Sequence, residues 1–315
     1  MAPINVSPIS PLIGAEGATG DVRVLDEEGR AALRDAVFAH QVVFLRGQHL
    51  NESELVEVAS WFAEPRPTEP SATMGETNPV STFAISIDRP PRADLWHTDM
   101  TFLPDPPAFG LLSNVVAPPA GGNTVWSSSY LAFDVFSAPI QRLCAQLVAE
   151  HGIDDGIRRF FLSRIGPDRF AELVEKFPPV EHPVVIRHPV TGRAALFLAC
   201  GFLNRILDLH PDEATTILAM ISAGYDNPNH QVSWRWSAGD LAIWDQRATN
   251  HRGLSNHWPV HPDRVMQSVF AYDGIPATQL AIESLEPAAE HDVPAGATTS
   301  GRPGPASRRR AGRSR

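Results

Sequence analysis

The hydrophobic pattern of the N-terminal part predicts two helices around one buried strand. Residues 26–40 repeat apolar side chains at helical spacing, and the apolar run that follows is closed by Gly47. Asn51 is suited to cap a second amphipathic helix within residues 51–64. We therefore expect a helix, a strand and a helix before the chain reaches its central region.

Beyond residue 94 the pattern changes to short apolar runs separated by turn residues, which is typical of antiparallel strands. We expect a mainly β fold, a sandwich or barrel, with helices inserted near residues 130–149, 168–176 and 211–223. Residues 66–94 are rich in Pro, Thr, Ser and Asp, so they are predicted to form a long irregular segment. Long loops in compact domains often serve as active-site lids, and we expect this one to do so.

Composition places the chain among globular proteins. Of its 315 residues, 43% are hydrophobic and 20% are charged, which is enough to bury a sizeable core. No apolar run approaches the roughly 18–20 residues of a membrane helix, and the N-terminus lacks a secretory pattern. Cys144 and Cys200 are too few for a disulfide framework. We expect a cytoplasmic protein without a membrane partner.

Charge separates a predicted domain, residues 1–286, from a predicted disordered tail, residues 287–315. The tail has six arginines and two acidic residues, so it carries +4 of a net charge of −10 and leaves −14 on the domain. Phosphate binding needs clustered basic residues, so the acidic domain is not expected to bind nucleic acid. The tail is rich in Pro, Gly, Ala and Ser and has few apolar residues to bury.

A His-x-Asp pair, His97 and Asp99, marks the first candidate site residues. In an extended segment residues i and i+2 project to the same side, so this imidazole and carboxylate can converge on one ion. His251 lies far along the chain, on or just after a strand-like run. Two histidines and one carboxylate, with other positions open, suit non-haem Fe(II). Taken singly, the His-x-Asp pair also fits a surface pair, and His251 also fits a hydrogen-bonded structural histidine.

Arg264 follows His251 by thirteen residues and supplies a candidate cosubstrate contact. Its planar guanidinium matches a carboxylate with two parallel hydrogen bonds, as a dicarboxylate cosubstrate would require. Thr124 strengthens the pattern by its place in the chain, although an ordinary strand threonine is an equally good interpretation of that residue alone.

The complete spacing resembles that of the Fe(II)/2-oxoglutarate-dependent dioxygenases of the taurine dioxygenase and 2,4-dichlorophenoxyacetate dioxygenase group. The matching residues, in order, are His97, Asp99, Thr124, His251 and Arg264. The resemblance implies a double-stranded β-helix, which is a jelly-roll, cupin-like fold. It also implies that the two histidines and Asp99 bind Fe(II), that Arg264 and Thr124 bind 2-oxoglutarate, and that O2 is the oxidant. The expected reaction is hydroxylation of a small organic substrate, or its desaturation or cyclisation.

Departures from the family pattern bear on the substrate. Where sulfonate-using members have an arginine this chain has Ser268, and where they have a histidine the nearest residues are Thr68 and Glu69. At two further positions where sulfonate-using members have polar residues, this chain has Ala93 and a residue near Gly156. Burying an anion without a paired cation is costly. Taurine is therefore not the expected substrate.

The expected substrate is larger and neutral or amine-bearing, and a specialised metabolite would fit. Phe202 retains the aromatic wall of the pocket, and Glu69 is a candidate partner for a cationic substrate. An anionic substrate such as a sulfonate could still be bound if another basic residue replaced the missing arginine. The candidates for that role are Arg89, Arg92, Arg158 and Arg159.

Two alternative functions stay open at this level. The first is an alkyl-sulfate or sulfonate dioxygenase within the same fold. The second is a non-catalytic jelly-roll binding protein, against which the retention of all three metal-binding residue types and Arg264 argues. By analogy with related proteins a homo-oligomer is also compatible with the sequence.

Overall fold

The computed structural model describes residues 4–18, 20–73, 75–88, 95–153 and 155–282, without the side chains of 155–157, 159–161, 163 and 164. All of its elements belong to one structural unit, residues 1–284. The predicted tail, residues 287–315, lies outside the described residues, so its disorder stays a prediction. Among the described residues, no helix combines the length and the hydropathy needed to cross a membrane.

The elements alternate irregularly along the chain, with strands in the majority. The helices are α1 (Glu27–His40), α2 (Glu52–Ser60), α3 (Glu69–Thr73), α4 (Ser129–Asp134), α5 (Ala138–Cys144), α6 (Asp155–Lys176) and α7 (Pro211–Asp226). The first eight strands are β1 (Asn5–Pro8), β2 (Ala15–Ala18), β3 (Val42–Leu45), β4 (Glu64–Arg66), β5 (Ser81–Ile85), β6 (Phe109–Val116), β7 (Thr124–Ser128) and β8 (Val148–His151). They are followed by β9 (Val180–Pro183), β10 (Val185–Arg187), β11 (Ala194–Leu196), β12 (Leu203–Ile206), β13 (Gln231–Trp234), β14 (Leu241–Asp245), β15 (Thr249–Gly253) and β16 (Arg264–Tyr272).

The two predicted N-terminal helices and the strand between them are confirmed as α1, β3 and α2. Asn51 caps α2 through a capping box, in which its side chain accepts the Glu54 N–H and the Glu54 carboxylate accepts the Asn51 N–H. This reciprocal pair satisfies two backbone donors that the first turn of a helix leaves free. Helix α1 begins in a similar way, because the Asp26 side chain accepts from the Gly29 N–H.

Two sheets carry the parts of the fold that position the site. The larger has eight strands in the order β1-β2-β3-β14-β6-β16-β4, with β5 also pairing with β16. The smaller has the order β13-β7-β15, and all of its pairs are antiparallel. Strands β10 and β11 form a hairpin sheet, and β12, β8 and β9 form a third small sheet.

Alternation along the strands of the larger sheet separates two hydrophobic cores. Phe44, Trp244 and Phe270 belong to one core, which also takes Trp126 and Trp234 from the smaller sheet. The alternate residues of the same strands, such as Val43 and Ile243, face the other side of the larger sheet, where α1 and α2 cover them. Side chains of a strand point alternately to its two faces, so the large sheet is buried on both sides.

Aromatic rings fill the space between the two sheets. Phe44 stacks on Trp234 with ring centroids 4.2 Å apart, and it meets Trp126 edge-on at 5.2 Å. Such offset and edge-to-face contacts add to the stabilisation that comes from burying the rings. The predicted mainly β fold with inserted helices is therefore confirmed, and its two facing sheets are those of a jelly roll.

Three local predictions need correction. Residues 66–94 are not irregular throughout, because they contain α3 and β5, and β5 is stabilised by pairing with β16, which is distant in sequence. The helix predicted over 130–149 is divided into α4 and α5 and ends before β8. The helix predicted at 168–176 is the second part of α6, which is kinked at Gly166 where φ is 76°. Only glycine adopts that backbone conformation without strain.

Candidate active site

An isolated antiparallel bridge between His97 and His251 forms the centre of the site. The His97 N–H donates to the His251 carbonyl at 3.0 Å, and the His251 N–H donates to the His97 carbonyl at 2.8 Å. His251 lies on β15, and His97 lies in the segment that leads into β6. The bridge brings the two imidazoles side by side, with ring centroids 4.2 Å apart.

Asp99 completes the group by placing one carboxylate oxygen near each imidazole. The His97 Nε2 lies 3.7 Å from Asp99 Oδ1, and the His251 Nε2 lies 3.6 Å from Asp99 Oδ2. One ligand atom from each of the three residues lies within 4.8 Å of the other two. Among the described residues these three are the sole group of three or more His, Cys, Asp or Glu side chains with metal-binding spacing. The geometry and the donor types suit a divalent metal ion.

Hydrogen bonds outside the group orient two of its members. His97 Nδ1 lies 2.9 Å from the Leu95 carbonyl oxygen, which can only accept, so Nδ1 is the donor in this contact and Nε2 faces Asp99. The Gln246 amide donates to Asp99 Oδ2 at 2.7 Å, and its carbonyl oxygen accepts the Asp99 N–H at 3.3 Å. Outer contacts of this kind fix metal ligands in place.

His251 is held neutral by its surroundings. Burial and the neighbouring His97 lower the pKa of its imidazole to about 3, against the opposing effect of Asp99. Its ring stacks near Trp126 at a centroid distance of 6.2 Å and meets Trp244 at 5.1 Å. A neutral imidazole is the form that binds a metal, so the apolar wall keeps His251 in the form suited to metal binding at ordinary pH.

Arg264 is a buried cation that has no counter-ion among the described residues. It begins β16 with only 4% of its surface exposed, and neither Nε nor Nη2 has a hydrogen-bond partner within the described part of the chain. Burial lowers the pKa of its guanidinium to about 10, so the group still carries its charge at neutral pH. An unpaired buried charge is strongly unfavourable, and a bound carboxylate would relieve that cost.

Thr124 occupies the first position of β7, in the smaller sheet. Its side chain is buried, and its hydroxyl oxygen accepts a hydrogen bond from the Trp236 indole at 3.0 Å. The hydroxyl proton is therefore available to a further acceptor. Thr124 pairs with Gly253 of the neighbouring strand β15, and Gly253 is two residues from His251.

The three predicted substrate residues lie in different environments. Ser268 is buried on β16, on the same face as Arg264, and its Oγ has no partner among the residues described. Phe202 is buried against Phe102 with ring centroids 5.5 Å apart. Its neighbour Gly201 approaches the site, since a Cβ built there would lie 3.4 Å from the His97 Cβ.

Glu69, at the start of α3, is already engaged. Its carboxylate lies 3.6 Å from Lys176 Nζ at the end of α6, and both side chains are partly exposed. Of the other residues raised by the sequence, Arg89, Arg92 and Ala93 lie outside the described residues, as does the side chain of Arg159. Arg158 is exposed on α6, near the ring of Phe170.

Sequence reasoning missed Gln246, which contacts Asp99, and Tyr272, which lies on the same strand as Arg264. Gln246 stands five residues before His251, in the same run as that candidate ligand, and this proximity was the available signal. The hydroxyl of Tyr272 is buried without a partner in the part of the chain that the structure describes, and Tyr272 shares a strand face with Arg264. Tyr272 is an even number of residues from Arg264 along β16, which places both on one face of the strand, and this spacing was the available signal.

Comparison with known proteins agrees with this geometry. The model of the taurine catabolism dioxygenase TauD, TfdA family matches residues 5–269. The chain is 32% identical over 270 residues to an alpha-ketoglutarate-dependent sulfate ester dioxygenase of Pseudomonas putida, a match that covers 81% of this chain and 85% of that protein. It is 30% identical over 246 residues to an alkylsulfatase of Acinetobacter baylyi, with 75% of each covered.

The fold agrees with a solved relative as well. The crystal structure of a putative alpha-ketoglutarate-dependent taurine dioxygenase from Burkholderia xenovorans superimposes with a TM-score of 0.73 at 28% identity, and the match covers 87% of this chain and 94% of that one. Alpha-ketoglutarate is 2-oxoglutarate, a dicarboxylate that suits Arg264, which has no counter-ion among the described residues, and the His97, Asp99 and His251 group, which is able to bind a metal. The chain therefore belongs to the TauD/TfdA family and is an Fe(II)- and 2-oxoglutarate-dependent dioxygenase, an oxidoreductase that acts with O2 on a small molecule.

Proposed function

We propose that His97, Asp99 and His251 hold the iron and that Arg264 and Thr124 bind the distal carboxylate of 2-oxoglutarate. The observation that supports this most directly is the convergence of three candidate ligand atoms within 4.8 Å, from a buried His251 and from the partly exposed His97 and Asp99. The second support is a buried guanidinium that lacks a counter-ion among the described residues. A dicarboxylate cosubstrate supplies that counter-ion.

The protein contributes positioning and charge. Bound Fe(II) and 2-oxoglutarate supply the oxidising chemistry with O2. Asp99 provides a negative charge beside the cation, while Gln246 fixes the direction of its carboxylate. The Leu95 carbonyl fixes the tautomer of His97, and the indoles of Trp126 and Trp244 exclude water from His251. These contacts keep the ligands in place before any substrate arrives.

The surroundings of the site favour a substrate with a largely apolar body. The indole rings of Trp126 and Trp244 contact His251, and Ser268 and Tyr272 present neutral hydroxyl groups on the face of β16 that carries Arg264. Glu69 pairs with Lys176, so an amine would compete with that lysine for the carboxylate. A neutral organic molecule, for which a specialised metabolite is one source, therefore fits better than taurine.

A second candidate substrate class is the alkyl sulfates. The observation that favours it is the 30–32% identity to an alkylsulfatase and to a sulfate ester dioxygenase over three quarters or more of the chain. Hydroxylation of the carbon that bears the sulfate ester would release sulfate. Desaturation or cyclisation remains a further outcome of the same hydrogen removal. The cytoplasmic location and a homo-oligomeric state also stay predictions from sequence.

A substrate panel tests the proposal. The enzyme, loaded anaerobically with Fe(II), is given 2-oxoglutarate, O2 and in turn taurine, hexyl sulfate or a neutral aromatic ether, and succinate and sulfate are measured. We expect substrate-coupled succinate formation without taurine turnover. Sulfate release from hexyl sulfate would select the second candidate, and coupled taurine turnover would contradict the substrate proposal.

The same assay tests the residue roles. The Asp99→Ala variant controls for iron that reacts free in solution. The non-catalytic jelly-roll alternative would require that the wild-type protein fails to decarboxylate 2-oxoglutarate with or without every compound tested.

A further inference from the structure

A second side-chain cluster lies directly behind the two histidines. The antiparallel pairing of His97 with His251 places Trp96 opposite Arg252. Neighbouring residues of an extended chain point to opposite faces, so Trp96 and Arg252 meet on the face away from the imidazoles. Their contact is direct, since the Arg252 Cζ lies 4.4 Å from the centre of the Trp96 ring.

Asp226 joins both members of this pair. The Trp96 indole donates to Asp226 Oδ1 at 2.8 Å, and Arg252 Nη1 lies 3.4 Å from the same oxygen. Trp96 is 95% buried, so its indole N–H needs a partner inside the protein. One carboxylate therefore satisfies the indole and pairs with the arginine that covers it.

The carboxylate itself stands on a firmly attached support. Asp226 is the last residue of α7, and the preceding Tyr225 is fully buried. The Tyr225 hydroxyl donates to the Leu196 carbonyl at 3.3 Å. The Tyr225 carbonyl accepts from the Ser127 hydroxyl at 3.0 Å and from the Gln231 amide at 2.7 Å. The end of α7 is thus tied to β7 and β13, the strands of the smaller sheet.

In the described part of the chain, the segment that carries His97 has one backbone attachment to β15. The His97–His251 bridge is isolated rather than part of a longer ladder. Among the described residues, one side-chain hydrogen bond to the backbone of β15 reinforces it, from the Thr98 hydroxyl to the Thr249 carbonyl at 3.1 Å. The separation of the two imidazoles therefore depends on contacts outside the backbone pairing.

We propose that Asp226 is a positioning residue for the metal site, which clamps Trp96 and Arg252 together and so sets the spacing of His97 and His251. The proposal rests on the assignment of these histidines as metal ligands. It predicts that a change at Asp226, which touches neither imidazole, weakens metal binding beyond any loss of fold stability.

Cobalt titration tests the clamp without relying on turnover. Co(II) is added to the metal-free protein under nitrogen, and visible absorption gives the dissociation constant and the ligand-field spectrum. We expect Asp226→Ala to weaken Co(II) binding by about tenfold, the lower end of the loss seen when residues that support metal ligands are changed. We also expect the ligand-field spectrum to shift. Asp226→Asn keeps an acceptor oxygen for the Trp96 indole, so it should restore most of the affinity.

Asp134→Ala is the matched control. Asp134 also ends a helix, α4, and pairs at 2.9 Å with Arg193, whose Cζ lies 4.2 Å from the centre of the Tyr130 ring. The two carboxylates are similarly exposed, 51% for Asp134 and 55% for Asp226. We expect Asp134→Ala to lower the melting temperature about as much and to leave Co(II) affinity unchanged.

The outcomes separate this inference from the ligand assignment. If Asp226→Ala binds Co(II) as tightly as the wild type, or if Asp134→Ala weakens binding equally, Asp226 does not position the metal site. If the wild type itself gives no Co(II) ligand-field spectrum, the assignment of His97 and His251 fails, and the clamp fails with it.

Discussion

Gln246 holds Asp99 at both its side chain and its backbone. The amide nitrogen donates to Asp99 Oδ2 at 2.7 Å, while the amide oxygen accepts the Asp99 N–H at 3.3 Å. Gln246 is almost fully buried, at 1% exposure, so water cannot replace these bonds easily. One side chain thus fixes both the position and the direction of the carboxylate.

Replacing Gln246 with leucine should weaken iron binding by about 10- to 100-fold, because Asp99 would lose its orienting partner. The measurement is the Fe(II) concentration that gives half-maximal 2-oxoglutarate decarboxylation. Gln267→Leu serves as a control, since the Gln267 amide donates to Glu52 at the exposed surface. An identical Fe(II) dependence in Gln246→Leu and the wild type would show that Asp99 needs no such support.

Asp99→Ala should abolish stable iron binding and turnover together, because it removes the sole anionic ligand of the proposed set. Iron content after anaerobic loading and desalting is the readout. Asp105→Ala removes a nearby, partly exposed carboxylate that pairs loosely with Arg66 at 3.7 Å, and it should retain its iron. Retention of one iron per chain in Asp99→Ala would rule out the assigned ligand set.

Arg264→Ala should weaken 2-oxoglutarate binding by about 1.5 to 3 kcal/mol, the worth of a charge-assisted hydrogen bond. This corresponds to about a 10- to 150-fold rise in the dissociation constant, measured by calorimetry on Mn(II)-loaded protein under nitrogen. Arg264→Lys keeps the charge and loses the planar fork, so we expect an intermediate value. Unchanged affinity in the alanine variant would refute the role of Arg264.

Gly110→Ala should destabilise the fold by about 1 to 3 kcal/mol through overpacking. Gly110 pairs with Trp244 across β6 and β14, and a Cβ at that position would overlap the indole. Trp244 in turn contacts His251, so the displaced ring should also reduce metal affinity.

Gly253→Ala provides the comparison for this prediction, because an added Cβ there meets nothing within 4 Å among the residues described. Chemical denaturation measures both variants, and the change for Gly253→Ala should stay within about 0.5 kcal/mol. Equal stability of Gly110→Ala and the wild type would mean that the indole has room to move.

The hydrophobic pattern was sufficient to predict those elements whose structure depends on residues adjacent in sequence. Helices α1 and α2 follow from apolar spacing and from the Asn51 cap, which are properties of adjacent residues. Strand β5 was not predicted, because its stability comes from pairing with β16, which is distant along the chain. The kink of α6 likewise depends on one glycine conformation that no periodicity reports.

The amino-acid sequence alone determined the residue types of the candidate metal site, their order and the presence of Arg264, because the identity and the spacing of residues are properties of the chain. Only the tertiary structure decided that the His97–His251 bridge brings the imidazoles together, that Gln246 faces Asp99 and that Glu69 pairs with Lys176. These relationships join residues that are distant along the chain. Their distances depend on how two sheets pack around a shared aromatic core. Contacts between residues that are far apart in sequence leave no pattern among neighbouring residues, so they could not be predicted from the sequence.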